Sequence, residues 1–96
     1  MRPLMTQQTS AHAGSLESCD ILVTLERCPV GQGRTLQLNI AMPELYGEHI
    51  HALIEHHLDQ LGLHDVRVTA EDKGALDATI LARLDTAFMR LTASAA

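Results

Sequence analysis

From Leu16 to Arg27 apolar and polar residues alternate, with Cys19, Ile21, Val23 and Leu25 on one side and Ser18, Asp20, Leu22, Thr24 and Glu26 on the other. A period of two belongs to an extended strand, whose successive side chains point to opposite faces. One of these faces is apolar and the other mostly polar. Such a strand must be covered by a second layer on one side and left to solvent on the other. By this parity Cys19 faces the core and Ser18 faces away from it.

The rest of the chain supplies the partners. Pro29-Val30-Gly31-Gln32-Gly33 breaks the alternation as a turn. A second strand follows, with Leu36, Leu38 and Ile40 inward and Thr35, Gln37 and Asn39 outward, joined to the first as a hairpin. Asp65 to Ala70 forms a third strand with Val66 and Val68 inward. Pro43 suits a first helical turn, and Tyr46, Ile50, Leu53, Ile54, Leu58 and Leu61 recur at helical spacing up to Gly62, a C-cap residue. Asp72 is the expected N-cap of a second helix, whose stripe is Leu76, Ile80, Leu81, Leu84, Phe88 and Leu91. The expected fold is α/β (α+β): a two-layer sandwich, β-β-α-β-α. Its three-stranded sheet has order 2-1-3, and two helices cover one face. Residues 1–13 read as a flexible tail, 14–92 as the domain, and 93–96 as a disordered end.

Ninety-six residues allow one core, built from aliphatic side chains because Tyr46 and Phe88 are the only aromatics. The net charge is −5, and the seven lysines and arginines are scattered. This excludes nucleic acid and anionic membranes as partners recognised through a basic patch. No apolar run resembles a signal peptide or a membrane span. Cys19 and Cys28 on one extended segment stand roughly 30 Å apart, beyond the ~7 Å that a disulfide tolerates. Reduced thiols without an export signal point to the cytoplasm.

Chemistry has few candidates. Ser18 lies between the carboxylates of Glu17 and Asp20, which offer acceptors and nothing to stabilise an oxyanion. No neighbour in sequence resembles a general base. Two readings stand: an acceptor for covalent modification, or an exposed strand serine without a role. His49, His51, His56 and His57 share the first helix, but no two are four residues apart, so the zinc-helix spacing is missing. His57 falls in the apolar arc as a partly buried, hydrogen-bonded histidine, and no metal is expected. Gly31-Gln32-Gly33 joins two strands and precedes no helix, so it is not a phosphate loop. In Asp72-Lys73-Gly74-Ala75-Leu76-Asp77, Gly74 suggests a close backbone approach to the sheet or to a partner.

The stretch "GSLESCD" with the strand after it, and "DKGALDATILARL" further on, resemble the acyl carrier (gamma subunit) family of citrate lyase from about Ala13 to Leu91. The resemblance implies that Ser18, among the motif residues Gly14, Leu16, Glu17 and Asp20, carries a covalently bound 2'-(5''-phosphoribosyl)-3'-dephospho-CoA. A dedicated transferase (the holo-carrier synthase) would attach this group. Its thiol would carry acetyl and citryl between the alpha (acyl transferase) and beta (lyase) subunits, and the carrier itself would catalyse nothing. Asp72, Lys73, Gly74 and Asp77 would form a structural or partner-contact motif. The carrier subunit of malonate decarboxylase is the nearest alternative, although its serine motif is closer to G-S-G-D. An unmodified interaction module would leave Ser18 dispensable, and a His-rich metal chaperone would hold zinc or copper; neither accounts for both motifs.

Overall fold

A computed structural model describes residues 9–93. Strands β1 (Ser10–Gly14), β2 (Ile21–Arg27), β3 (Thr35–Asn39) and β4 (Val66–Asp72), with helices α1 (Pro43–Leu61) and α2 (Asp77–Thr92), follow in the order β1-β2-β3-α1-β4-α2. They form one four-stranded sheet of order β1-β2-β4-β3. The α+β class and the two helices agree with the sequence. The expected sheet does not, in two respects.

First, the segment read as tail contributes a strand, since Ser10–Gly14 pairs antiparallel with β2, from Ser10↔Glu26 to Gly14↔Leu22. Its apolar positions are only Ala11 and Ala13, too small to register as a hydrophobic stripe, yet both are buried beneath α2. Residues 1–8 of that segment, and 94–96 of the expected disordered end, lie outside the described residues.

Second, β2 and β3 are not hairpin neighbours. β4 lies between them, antiparallel to β2 (Ile21↔Asp72 to Arg27↔Val66) and parallel to β3 (Thr35↔Arg67 to Asn39↔Glu71). Burial explains the arrangement. β4 has Val66, Val68, Ala70 and Asp72 fully within the interior, whereas Leu36 and Leu38 of β3 are only partly buried. The central slot goes to the strand with the more deeply buried face, and α1 supplies the crossover that a parallel pair requires.

The connection from β2 to β3 must therefore pass the start of β4, and Asp65 holds it there. Its carboxylate accepts the Gly33 N–H at 2.8 Å and also the Gly31 N–H, while its carbonyl accepts the Cys28 N–H at 3.0 Å. Arg34 closes the same loop onto α1 through Glu55 (2.7 Å), Asp59 (2.9 Å) and the Leu63 carbonyl.

Ile21, Val23 and Leu25 share one face of the sheet with Val68, Ala70 and the two buried alanines of β1. Ile50, Ile54 and Leu58 of α1 and Ile80, Leu84, Ala87 and Leu91 of α2 complete the core against it. Pro43 opens α1, and Gly62 ends it at φ 73°. Gly62 N–H donates to the Asp59 carbonyl and Leu63 N–H to the Leu58 carbonyl, the paired bonds of a Schellman cap. His57, partly buried as expected, meets Asp85 at 2.6 Å and joins the two helices. Tyr46, placed in the apolar stripe by its spacing, is instead 51% exposed at the start of α1. Among the described residues no helix is long and apolar enough to cross a membrane.

The two backbone N–H groups that it accepts hold the Asp65 carboxyl below its ordinary value of 3.8. Its stabilising contribution is therefore complete above that value and disappears as pH falls through the lower, folded-state value. Asp65→Ala should lower the urea midpoint at neutral pH and flatten its decline in acid; equal midpoints for the two proteins at pH 7 would remove Asp65 from this role.

Candidate functional site

The turn between β1 and β2 carries Ser18. Gly14 ends β1 with φ 98°, and a Cβ there would lie 1.8 Å from the Ile21 carbonyl oxygen, so only glycine lets the hairpin close. The chain then reverses through Glu17-Ser18-Cys19-Asp20, with Asp20 N–H donating to the Glu17 carbonyl at 3.1 Å. Cys19 has φ 65°, and it is the only non-glycine with positive φ among the described residues. Its N–H donates to the Lys73 carbonyl and the Lys73 N–H donates to the Asp20 carbonyl, both at 2.8 Å. Two residues of the turn thus oppose one residue beyond β4. This is the pattern of a G1 bulge, whose first position is normally glycine.

The bulge corrects the parity reading. Regular pairing in β2 starts at Ile21, not Leu16, and Cys19 is exposed rather than inward. Ser18 stands exposed at the turn's apex. Among the described residues its Oγ has one polar neighbour, the Cys19 Sγ at 3.7 Å. Among the described residues no imidazole, carboxylate or amine lies within hydrogen-bonding distance of it.

Asp20 fixes the turn from below. Its Oδ1 accepts the Ile21 N–H (2.7 Å) and Arg83 Nε (2.9 Å), and its Oδ2 accepts Arg83 Nη2 (3.0 Å) and the Ser15 hydroxyl (2.7 Å). These bonds, with Arg83 foremost, hold the Asp20 carboxyl down at about 2 against an ordinary 3.8. The Asp20 side chain is only 14% exposed, and its partner lies on α2. The Ser15 oxygen also accepts the Glu17 N–H at 3.2 Å. Of the two serines, Ser15 braces the turn, whereas among the described residues the Ser18 hydroxyl meets only the neighbouring thiol.

The second motif lies at the same end of the sheet. Asp72 does not cap a helix. Glu71 and Asp72 continue the ladder of β4, and α2 begins only at Asp77, with Leu76 as N-cap. Asp72 is 4% exposed; its Oδ1 accepts the Ala75 N–H (3.0 Å) and its Oδ2 the Ala41 N–H (3.2 Å). One buried carboxylate therefore ties together the loop after β4 and the linker into α1. Gly74 turns the chain at φ 92°, and an added Cβ there would meet nothing within 4 Å, so its role is the backbone angle and not a close approach. Leu76 is no core residue but 74% exposed. Asp77 meets His49 of α1 at 2.7 Å. A cavity of about 440 Å³ lies between these segments, lined by Met42, Tyr46, Ile50, Ala75 and Leu76 among others.

All the candidate residues thus gather at one end of the molecule, where Lys73 bridges the two motifs. The sequence pattern assigns Arg83 no role, although the structure places it on Asp20. Its only signal was its place in "ATILARL", one motif, opposite an otherwise unpaired acid, Asp20, in the other. Among the described residues no group of three or more His, Cys, Asp or Glu side chains could hold a metal ion. The turn thus holds an exposed hydroxyl, that of Ser18, on a framework fixed by Asp20, Arg83 and Lys73.

Residues 8–91 match the protein family described as Malonate decarboxylase delta subunit (MdcD). The citrate lyase acyl carrier protein of Streptococcus mutans serotype c is 46% identical over 86 residues, covering 90% of this chain and 83% of that one. The citrate lyase acyl carrier protein of Vibrio cholerae serotype O1 is 44% identical over 80 residues, 83% of this chain and 81% of that one. A chain in the crystal structure of a Pseudomonas malonate decarboxylase hetero-tetramer in complex with malonate shares the fold. Its TM-score is 0.63, at 22% identity, over 91% of this chain and 88% of that one. The chain belongs to the acyl carrier proteins of the citrate lyase and malonate decarboxylase type.

Two outcomes follow from the geometry. Lowering the pH through the range between 3.8 and about 2 should remove the stabilisation that ionised Asp20 provides. Arg83→Ala should therefore lose stability at neutral pH and show a shallower acid transition, read by circular dichroism. Cys19→Gly should relieve the left-handed strain and raise stability by about 1 kcal/mol, seen as a melting temperature about 4–8 °C higher. A fall in melting temperature would mean that the thiol makes a compensating contact.

Proposed function

We propose that this chain is the acyl carrier subunit of citrate lyase, and that Ser18 Oγ is bonded to 2'-(5''-phosphoribosyl)-3'-dephospho-CoA through a phosphodiester. The observation that carries this reading is the contrast at the turn: Ser18 is exposed at the apex of a turn pinned by Asp20, Arg83 and Lys73, yet among the described residues no base or acid is hydrogen-bonded to its hydroxyl. A nucleophile of the hydrolase type needs both. An attachment point needs only access and a stable root.

The surroundings fit an anionic phosphodiester at that oxygen. Among the described residues the Lys73 ammonium has no carboxylate partner, although its backbone is bonded to the turn. Because no base among the described residues reaches Ser18, the transferase that loads it takes up the hydroxyl proton. When bound, the group supplies a terminal thiol for acetyl and citryl. The chain's own part is to hold Ser18 on a rigid mount, so that the tethered thiol reaches the alpha and beta subunits at a high effective concentration. Met42, Tyr46 and Leu76, exposed beside Gly74 and Asp77, offer these subunits an apolar grip. The free thiols Cys19 and Cys28 suit a cytoplasmic setting.

A malonate decarboxylase carrier is the second reading, favoured by the matching family's description and the Pseudomonas structure. Identities of 44–47% to citrate lyase carriers weigh toward the first.

Incubation with the transferase of the same source should add the mass of one prosthetic group, mapped to Ser18 and absent from Ser18→Ala. No gain with an active transferase would rule Ser18 out and leave an interaction module.

A further inference from the structure

Among the described residues one face of the sheet carries no helix. Along it the residues facing solvent pair across the strands as Leu22↔Glu71 and Thr24↔Thr69, with Lys73 continuing the row beyond β4. With Leu16 as a wall, they line an open groove of about 350 Å³ that begins at the foot of the Ser18 turn. That volume is at the lower end for small-molecule sites.

The groove is chemically graded. At its upper end, nearest Ser18, are the ammonium of Lys73 and the apolar side chain of Leu16, which is 57% exposed. Leu22, half-buried, forms the floor. Lower down, Thr24 and Thr69 present two hydroxyls, each able to donate and accept. The one carboxylate, Glu71, is turned aside, accepting Asn39 Nδ2 at 2.5 Å on the neighbouring strand. A cation, then an apolar seat, then hydroxyls is complementary to a ligand with a phosphate, a flat base and a ribose.

We propose that this groove is the resting seat of the nucleotide part of the arm rooted on Ser18, with Lys73 facing its phosphates. The inference rests on the attachment reading above. The tether starts at the groove's rim, so even weak complementarity suffices, because the seat and its ligand share one chain. Seating the nucleotide there would keep it away from the Met42, Tyr46 and Leu76 surface on the helix side, leaving that surface open to partner subunits.

The test compares amide NMR spectra of the full-length, 15N-labelled protein before and after transferase loading, with intact mass measured on the same samples. Occupation of the groove should shift the amides of Leu22, Thr24, Thr69 and Glu71 as well as those of the turn. Thr69→Glu, which places a carboxylate in the seat, should return the Leu22 and Thr24 signals to their unloaded positions while loading remains complete. Lys73→Gln serves as a second variant and should reduce the same shifts without adding charge. A full mass gain with shifts confined to Ser15–Asp20 and Lys73 would overturn the seat and leave the attachment intact. Groove shifts that persist in both variants would overturn it as well, because they would then arise indirectly. Absence of any mass gain would bring down the attachment reading itself, and the seat with it.

Discussion

Strand β4 is the element on which the other parts depend. It pairs antiparallel with β2 and parallel with β3, and it continues past Asp72 to bond the Ser18 turn through Lys73. Buried Asp72 then secures Ala41 and Ala75 on its other side. A single strand therefore aligns the hairpin turn through its backbone, and the start of α1 and the approach to α2 through one buried carboxylate. Backbone pairing and a buried side chain both transmit position, because burial leaves neither free to move.

The second support is ionic. Asp20 takes four hydrogen bonds, two of them from the planar fork of Arg83, and so couples the turn to the helix layer. Bidentate arginine–carboxylate pairs restrict orientation more tightly than a lysine could. The result is a turn whose apex, Ser18, is exposed while its base is fixed to the helix layer.

The residue that fits least well locally is Cys19. A left-handed position in a bulge favours glycine, and a thiol there carries a strain that the Lys73 and Glu17–Asp20 bonds must offset. The apex geometry is thus maintained by its neighbours, not by the intrinsic preference of the residue occupying it.

Local pattern alone located both helices, the alternating core of β2, the half-buried face of β3 and the C-cap at Gly62, because these depend on periods and capping within a few residues. It also singled out Ser18 as exposed, though by a strand parity that does not hold there. Tertiary structure decided the rest. Ala11 and Ala13 make a strand only because α2 covers them, and β4 enters the centre of the sheet only because α1 returns it there. Asp72 looked like a cap because its type suits one, but continued pairing with β2 delayed the helix to Asp77. The Asp20–Arg83 pair joins residues far apart in the chain, and no periodicity records such a contact. Short-range order was written in the spacing of side chains; long-range pairing depended on which faces the folded layers could bury together.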